Sequence, residues 1–145
     1  MTAIEKTIHR LGGIATTAEL LRAGHEGALI RLFAEYGRIM RVRKGWYADP
    51  SVDDAVLAAC RVGGRLACLS ALAFHGLGTP GPTRLHVSVP RSASRLRSSG
   101  NHRERLAERH DAAIVVHWSR SDPTGDRLTV SLSEAMAQAQ ACYRR

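Results

Sequence analysis

The chain has 145 residues, 44% of them hydrophobic, and its 21 Lys+Arg against 13 Asp+Glu give a formal charge of +8. This length allows one solid core or two small adjoining ones. No run approaches the roughly 18 to 20 apolar residues of a membrane span, and no secretory signal pattern opens the chain. We therefore expect a cytoplasmic protein with no membrane partner, whose positive charge attracts nucleic acid or another polyanion.

The chain opens with a helix that ends at two glycines. Ile4, Ile8 and Leu11 are spaced so that they share one helix face, and Gly12 and Gly13 then stop the helix. We expect this apolar face to pack into the core.

Two further short helices are predicted. Thr16 and Glu19 have the spacing of a capping box that begins the second helix, which is expected to end near Gly24. A third helix over residues 25–36 would bury one apolar face. That face consists of Leu29, Ile30 and Phe33. Because it follows a helix and a tight turn, the third helix is the candidate to read a DNA groove.

A basic ribbon follows the third helix. Apolar residues alternate with basic ones over residues 38–44, the pattern of a strand with one charged face, and Gly45 allows a turn into a return strand. The pattern has two interpretations: a wing that lies along phosphates, or a solvated charged strand. Its position directly after two short helices favours the wing. The basic residues are Arg38, Arg41, Arg43 and Lys44.

The second half alternates helix and strand signals. Residues 51–54 form a capping signal that opens a helix ending near Gly63, and residues 66–77 are apolar almost all round, which predicts a buried helix. Alternation predicts strands over residues 85–90 and 113–118. A short strand over residues 128–130 and a final helix capped by Ser131 complete the chain.

The fold class predicted from these elements is α+β. A winged helix-turn-helix over residues 1–50 is expected to precede a small α/β domain over residues 51–145, with an antiparallel or mixed sheet.

An arginine-rich segment joins the two predicted strands of the second half. Its serine, glycine and asparagine content at residues 98–101 predicts a turn or a mobile loop. The segment would either clamp phosphates or form a solvated hairpin tip, partly neutralised by Glu104 and Glu108 on a short helix. Its arginines are Arg91, Arg95, Arg97, Arg103, Arg105 and Arg109.

The cysteines and histidines predict no metal site. Cys60, Cys68 and Cys142 are odd in number and lie in apolar settings that favour reduced, buried thiols. Cys60, Cys68 and His75 do not have the short paired spacing of zinc ligands. We expect His75 to be packed and bonded to a backbone carbonyl. No metal and no cofactor are predicted.

Three short motifs resemble one family of regulators. They are RVRKGWY at residues 41–47, SALAFHGLGTPGPTRLHVSVPR at 70–91 and HWSRSDPTGDRLTVSLSEAMAQA at 117–139. Their order resembles that of the AbiEi-type antitoxin regulators and of actinobacterial relatives that carry a very-short-patch-repair-like endonuclease domain. The resemblance implies a DNA-binding repressor that binds promoter repeats, with the helix-turn-helix at residues 16–36 and the wing at 38–47.

The resemblance leaves two functions open. Nuclease-bearing relatives continue into a domain with a metal-binding aspartate, whereas this chain ends at Arg145, which favours a free-standing, antitoxin-like or phage-type regulator. The alternative is the DNA-targeting module of a truncated endonuclease of that type. Direct contact with a toxin stays open.

No catalytic residues are predicted, so the chain is not expected to be an enzyme. Asp53 and Asp54 are explained by a helix start, and His117 with Asp122 lacks a nucleophile elbow. We expect a sequence-specific repressor of double-stranded DNA, acting as a homodimer or cooperatively at repeats. The predicted DNA contacts are Thr17, His25, Glu26, Ala28, Arg31, Arg38, Arg41, Arg43, Lys44, Tyr47, Arg91, Arg95 and Arg97, with His25, Glu26 and Arg31 nearest the base edges.

Overall fold

The computed structural model of the chain describes residues 1–78, 84–106, 113–119 and 124–143. The chain divides into two compact units, Met1–Asp53 and Asp54–Arg145. Within the described ranges it forms six helices and two three-stranded sheets. The α+β class is therefore confirmed. None of the helices in these ranges has the length and apolarity needed to cross a bilayer.

The first unit runs helix, strand, helix, helix, strand, strand. Its elements are α1 (Ala3–Arg10), β1 (Ile14–Thr16), α2 (Thr17–Arg22), α3 (Gly27–Glu35), β2 (Met40–Arg43) and β3 (Trp46–Ala48). The sheet order is β1-β3-β2, and both pairings are antiparallel. β3 is thus the central strand, between a strand that precedes the helix pair and one that follows it.

Local capping explains where the first helices begin. The Thr16 hydroxyl accepts from the Glu19 amide at 3.1 Å, and the Glu19 carboxylate accepts from the Thr16 amide at 2.8 Å, so the predicted capping box is confirmed. α1 ends at Arg10, and Gly12 follows with a φ of 101° that suits a glycine. The strand β1 was not predicted, because three residues are too short to show an alternating pattern.

The core of the first unit is apolar and includes residues from all three helices and from the sheet. Ile8 and Leu20 are fully buried, and Ile30 is 1% exposed. The remaining buried members are Ile4, Ala15, Ile39 and Tyr47. The packing of α1 therefore agrees with the prediction.

Two details of α3 and the ribbon differ from expectation. α3 begins at Gly27, two residues later than predicted, and Leu29 is 43% exposed instead of buried, because the inner face is formed by Ile30 and Phe33. In the ribbon, the pairing shifts at Val42, a β-bulge that interrupts the predicted alternation. Ile39 and Val42 are buried three residues apart as a result.

The second unit contains a mixed sheet, one of the two predicted types. Its elements are α4 (Asp54–Val62), β4 (Arg65–Leu66), α5 (Cys68–Phe74), β5 (Leu85–Val89), β6 (Ile114–Trp118) and α6 (Leu132–Tyr143). The order is β4-β5-β6, with β4 antiparallel and β6 parallel to β5. β5 is buried on both faces from His86 to Val89, as expected of a central strand.

Two expectations for the second unit need correction. The apolar stretch 66–77 is not one buried helix: Leu66 belongs to β4, and Leu77, beyond the end of α5, is 47% exposed. Residues 128–130 form an isolated bridge between Thr129 and Leu66 instead of a strand. The final helix does begin as predicted, because the Ser131 hydroxyl accepts from the Glu134 amide at 3.2 Å.

Candidate functional site

The outward face of α3 combines one cation with small and apolar side chains. Ala28, Arg31, Leu32 and Glu35 are exposed, and their spacing places them on one side of the helix. The Arg31 side chain runs back towards the start of α3, where a Cβ at Gly27 would lie 3.6 Å from its Nη1. Arg31 therefore lies over the first turn of α3, the helix predicted to read DNA.

The two residues before α3 differ in whether their side chains already make a hydrogen bond. Glu26 occupies the N-cap position without a side-chain cap hydrogen bond and is exposed. His25 instead turns towards α1, where its Nε2 lies 2.8 Å from the Thr7 hydroxyl. That hydroxyl donates its one proton to the Ala3 carbonyl, so His25 must be the donor in this contact. His25 thus links the turn before α3 to α1, and its predicted place near the base edges stays a prediction.

The ribbon is anchored to the start of α2. The backbone N–H of Thr17 donates to the carbonyl of Gly45 at 3.0 Å, and Thr16 pairs with Trp46 in the sheet. The second helix and the tip of the ribbon are therefore held together by the backbone.

The four ribbon cations are not equivalent. Arg41 and Lys44 are exposed, whereas Arg43 is half-buried beside Val42. Arg38 precedes β2 and pairs with Glu5 on α1, with 3.1 Å between Nε and Oε1. That hydrogen bond from Arg38 lowers the pKa of Glu5 to about 2, with help from the Thr2 backbone amide. Arg38 is thus already partly neutralised.

Tyr47 is the one buried residue among the predicted DNA contacts. Its side chain is 7% exposed and belongs to the core cluster of the first unit. The side chains of a strand alternate between faces, and the register of β3 between β1 and β2 turns Tyr47 inward. Its packing stabilises the unit, and its contact with DNA stays a prediction.

The arginine-rich segment forms an ordered turn over residues 91–106. The Ser98 amide donates to the Glu104 carbonyl at 2.8 Å. The backbones of Arg97 and Arg105 form an isolated antiparallel β-bridge. Arg61 at the end of α4 donates to the Ser99 carbonyl at 2.7 Å, which fastens the turn to the helix. Arg91 and Arg95 are exposed and Arg97 is half-buried; Glu108 and Arg109 lie outside the described residues.

The net charge is concentrated in the second unit. Residues 1–53 contain 8 Lys+Arg and 6 Asp+Glu, a net charge of +2, whereas residues 54–145 contain 13 and 7, a net charge of +6. Long-range attraction of a polyanion therefore depends mainly on the second unit. The first unit, with a net charge of only +2, contributes little to this long-range attraction.

Four metal-ligating side chains meet in the second unit. Cys68, His86, His117 and Cys142, which we name the Cys/His cluster, present donor atoms that all lie within 4.8 Å of one another. His86 Nδ1 lies 2.9 Å from His117 Nε2, and the two sulfur atoms are 3.5 Å apart. Cys142 Sγ lies 3.9 Å from His117 Nε2. Cys68 and His86 are buried, whereas the other two are half-buried.

Burial shapes the protonation of the cluster. Removal from water, with the neighbouring Cys142 thiol, raises the pKa of Cys68 to about 12. Removal from water also lowers the pKa of His86 to about 4, and repulsion from His117 and Arg84 adds to the effect. Without a cation, the cluster therefore holds a protonated Cys68 thiol and a neutral His86 ring.

Local spacing in the sequence does not reveal this cluster, because its ligands come from distant segments. Cys68 and Cys142 are separated by 74 residues, and His86 and His117 by 31. The parallel pairing of β5 with β6 brings the two histidines together, since His117 lies opposite Ser88 and thus on the same face as His86. The available signal was a histidine on each of the two predicted strands.

The remaining cysteine, histidine and aspartate residues considered in the sequence do not form a further site among the described residues. All three cysteines, Cys60 included, carry thiols. The His75 ring does contact the Val130 carbonyl, at 3.2 Å, although the residue is exposed and not packed. Asp54 lies in the first turn of α4, where the helix dipole favours it. Asp122 lies outside the described residues.

Comparison with protein-family models finds no match to this chain. A search among curated proteins likewise finds no significant match.

Proposed function

We propose that the first unit is a winged helix-turn-helix and that the chain is a sequence-specific repressor of double-stranded DNA. The observation that carries the proposal is the order of elements in this unit. A helix, a strand and a helix pair are followed by a two-stranded ribbon, and the first strand joins that ribbon in the order β1-β3-β2. This is the arrangement in which a recognition helix and a wing flank one another.

The make-up of α3 supports a role in the major groove. An arginine can form two hydrogen bonds to guanine, and small apolar side chains contact thymine methyl groups. Arg31 is exposed between Ala28 and Leu32, which leaves both kinds of contact open to a base pair.

The ribbon supports phosphate contacts. Arg41 and Lys44 are exposed on β2 and in the turn, where cations add affinity that does not depend on sequence. Arg38 and Arg43 contribute less in this proposal, because one is paired with Glu5 and the other is half-buried. Arg91 and Arg95 of the second unit would add long-range attraction.

The resemblance to AbiEi-type antitoxin regulators supports repression over other uses of DNA binding. A single recognition helix covers few base pairs, so useful affinity requires a homodimer or adjacent repeats. The alternative, a DNA-targeting module of an endonuclease, makes a separate prediction: nicking of duplex DNA with Mg²⁺ or Mn²⁺. We expect no nicking.

The test is duplex binding by the full chain, first with selected genomic fragments and then with a random duplex of equal length. Arg31→Ala should lower affinity for the selected site by about 1 to 3 kcal/mol and affect the random duplex much less. Arg10→Ala removes an exposed arginine at the end of α1 and is the matched control, with little effect expected on either duplex. Equal losses in both arginine variants, or no preference for any fragment, would contradict the proposal.

A further inference from the structure

We propose that the Cys/His cluster binds a zinc ion through Cys68 Sγ, His86 Nδ1, His117 Nε2 and Cys142 Sγ. This inference concerns the second unit alone and does not depend on DNA binding by the first. Two sulfur and two imidazole nitrogen donors are the ligand set of structural zinc sites. Hard cations such as Mg²⁺ and Ca²⁺ require oxygen ligands instead, and none of the four clustered donors is an oxygen.

The distances between donors match a tetrahedral site. With Zn–S of about 2.3 Å and Zn–N of about 2.0 to 2.1 Å, tetrahedral geometry places sulfur atoms about 3.8 Å apart, nitrogen atoms about 3.3 Å apart and mixed pairs about 3.6 Å apart. Three of the six donor pairs in the cluster lie at 3.5 Å, 2.9 Å and 3.9 Å, each within about 0.4 Å of the tetrahedral value. All four donors lie within 4.8 Å of one another.

The elements that carry the ligands are held independently of any ion. The Cys68 amide donates to the Gln138 side chain at 2.9 Å, and Gln138 lies one turn before Cys142 on α6. The His86 amide donates to the Ser70 hydroxyl at 2.9 Å, which joins β5 to α5. The site is therefore preorganised by contacts among α5, α6 and the sheet.

The backbone at Cys68 is a second sign of a built site. Cys68 has a φ of 51°, in the left-handed region that a non-glycine residue rarely adopts. Such strain concentrates at ligand-binding positions, where the surrounding structure enforces it. Cys68 is the first residue of α5, two residues after the end of β4, and at 0% exposure its thiol is buried within the cluster.

Four protein ligands leave no open position, so we assign the ion a structural role and not a catalytic one. It would join α5, β5, β6 and α6, elements that lie far apart in the chain. The competing outcome is a disulfide between Cys68 and Cys142, whose sulfur atoms are already neighbours. A disulfide would require an oxidant and would leave the adjacent histidines without a role.

The first test is the metal content of the full chain, produced without a histidine tag and purified with a reductant. After exposure to Zn²⁺ and removal of excess, elemental mass spectrometry should find about one zinc per chain. Cys142→Ser and His117→Gln should each lose most of it. Cys60→Ala and His75→Asn change a thiol and an imidazole of the same unit that lie outside the cluster, and they should retain it.

The second test uses the unaltered chain, so it holds even if a variant fails to fold. Co²⁺ in place of Zn²⁺ should show thiolate charge-transfer bands and the intense visible bands of tetrahedral coordination. X-ray absorption of the zinc form should give two sulfur atoms at about 2.3 Å and two nitrogen atoms at about 2.0 to 2.1 Å. Absence of stoichiometric metal in the unaltered chain, octahedral cobalt, or a mass lower by two hydrogens that reports a disulfide would overturn the proposal.

Discussion

The Thr17 amide and the Gly45 carbonyl, 3.0 Å apart, join the first residue of α2 to the turn between β2 and β3. Gly45 has a φ of 85°, which a residue with a Cβ adopts only with strain. This contact adds to the pairing of β1 with β3 in holding the tip of the ribbon beside α2, and it depends on the conformation of one glycine. This relationship makes the turn a sensitive point of the first unit.

Gly45→Ala should destabilise the first unit by about 1 to 2 kcal/mol, because the space around the turn is open and the left-handed backbone alone resists the change. Urea unfolding followed by Trp46 fluorescence, in a Trp118→Phe background, would report on this unit. Gly27→Ala places the same methyl group at the start of α3 with ordinary contacts and should be neutral or mildly stabilising. Equal effects of the two substitutions would refute the strain argument.

The ion pair of Glu5 and Arg38 predicts a pH dependence. Hydrogen bonding lowers the pKa of Glu5 to about 2 in the folded chain, from an ordinary value of 4.5. A lowered folded pKa contributes stability above the unfolded pKa, and this contribution is lost as pH falls from about 4.5 towards 2. The stability difference between the unaltered chain and Glu5→Gln should therefore shrink over that window. In an Arg38→Ala background, which removes the largest cause of the lowered Glu5 pKa, the convergence should be weaker.

The ribbon cations predict a salt effect on DNA binding. Arg41→Ala and Lys44→Ala should each reduce the slope of log affinity against log salt by about one unit, on selected and random duplexes alike. Fluorescence anisotropy at several salt concentrations measures the slope. Arg22→Ala, an exposed cation at the end of α2, should leave it unchanged. A slope that does not respond to either ribbon substitution would place the phosphate contacts elsewhere.

Close packing in the second unit predicts a sharp difference between two glycines. A Cβ at Gly64 would lie 1.9 Å from the Ser88 carbonyl oxygen, so Gly64→Ala must displace β5 and should cost about 1 to 3 kcal/mol or more. At Gly100 a Cβ meets no atom within 4 Å, and Gly100→Ala should stay within about 0.5 kcal/mol. Chemical denaturation followed by Trp118 fluorescence compares them.

Local signals in the sequence predicted the helices better than the sheets. The Thr16 capping box and the glycines after α1 act through neighbouring residues, so the pattern alone identifies them. The bulge at Val42 depends on how β2 pairs with β3 across the turn at Gly45. β1 depends on pairing with β3, a segment about thirty residues further along the chain. No periodicity within three or four residues can reveal that partner.

The candidate sites also divide into features set by local sequence and features set by contacts between distant segments. Arg31, Arg41 and Lys44 are exposed as the pattern predicted, because helix and strand periods determine which side chains face outward. His25 and Tyr47 are less exposed than these cations. The His25 ring contacts the Thr7 hydroxyl, and Tyr47 packs in the apolar core. The Cys/His cluster requires the parallel register of β5 and β6 together with the packing of α5 on α6, information that no short motif carries.

The central claim is that α3 and the ribbon contact double-stranded DNA. Amide chemical-shift mapping of the full chain during titration with a selected duplex tests it most directly. If α3 and the ribbon contact DNA, the largest changes will fall on residues 27–35 and 41–45 and will saturate at a defined stoichiometry. Changes confined to the second unit, or shifts that vanish at physiological salt on every duplex, would contradict it.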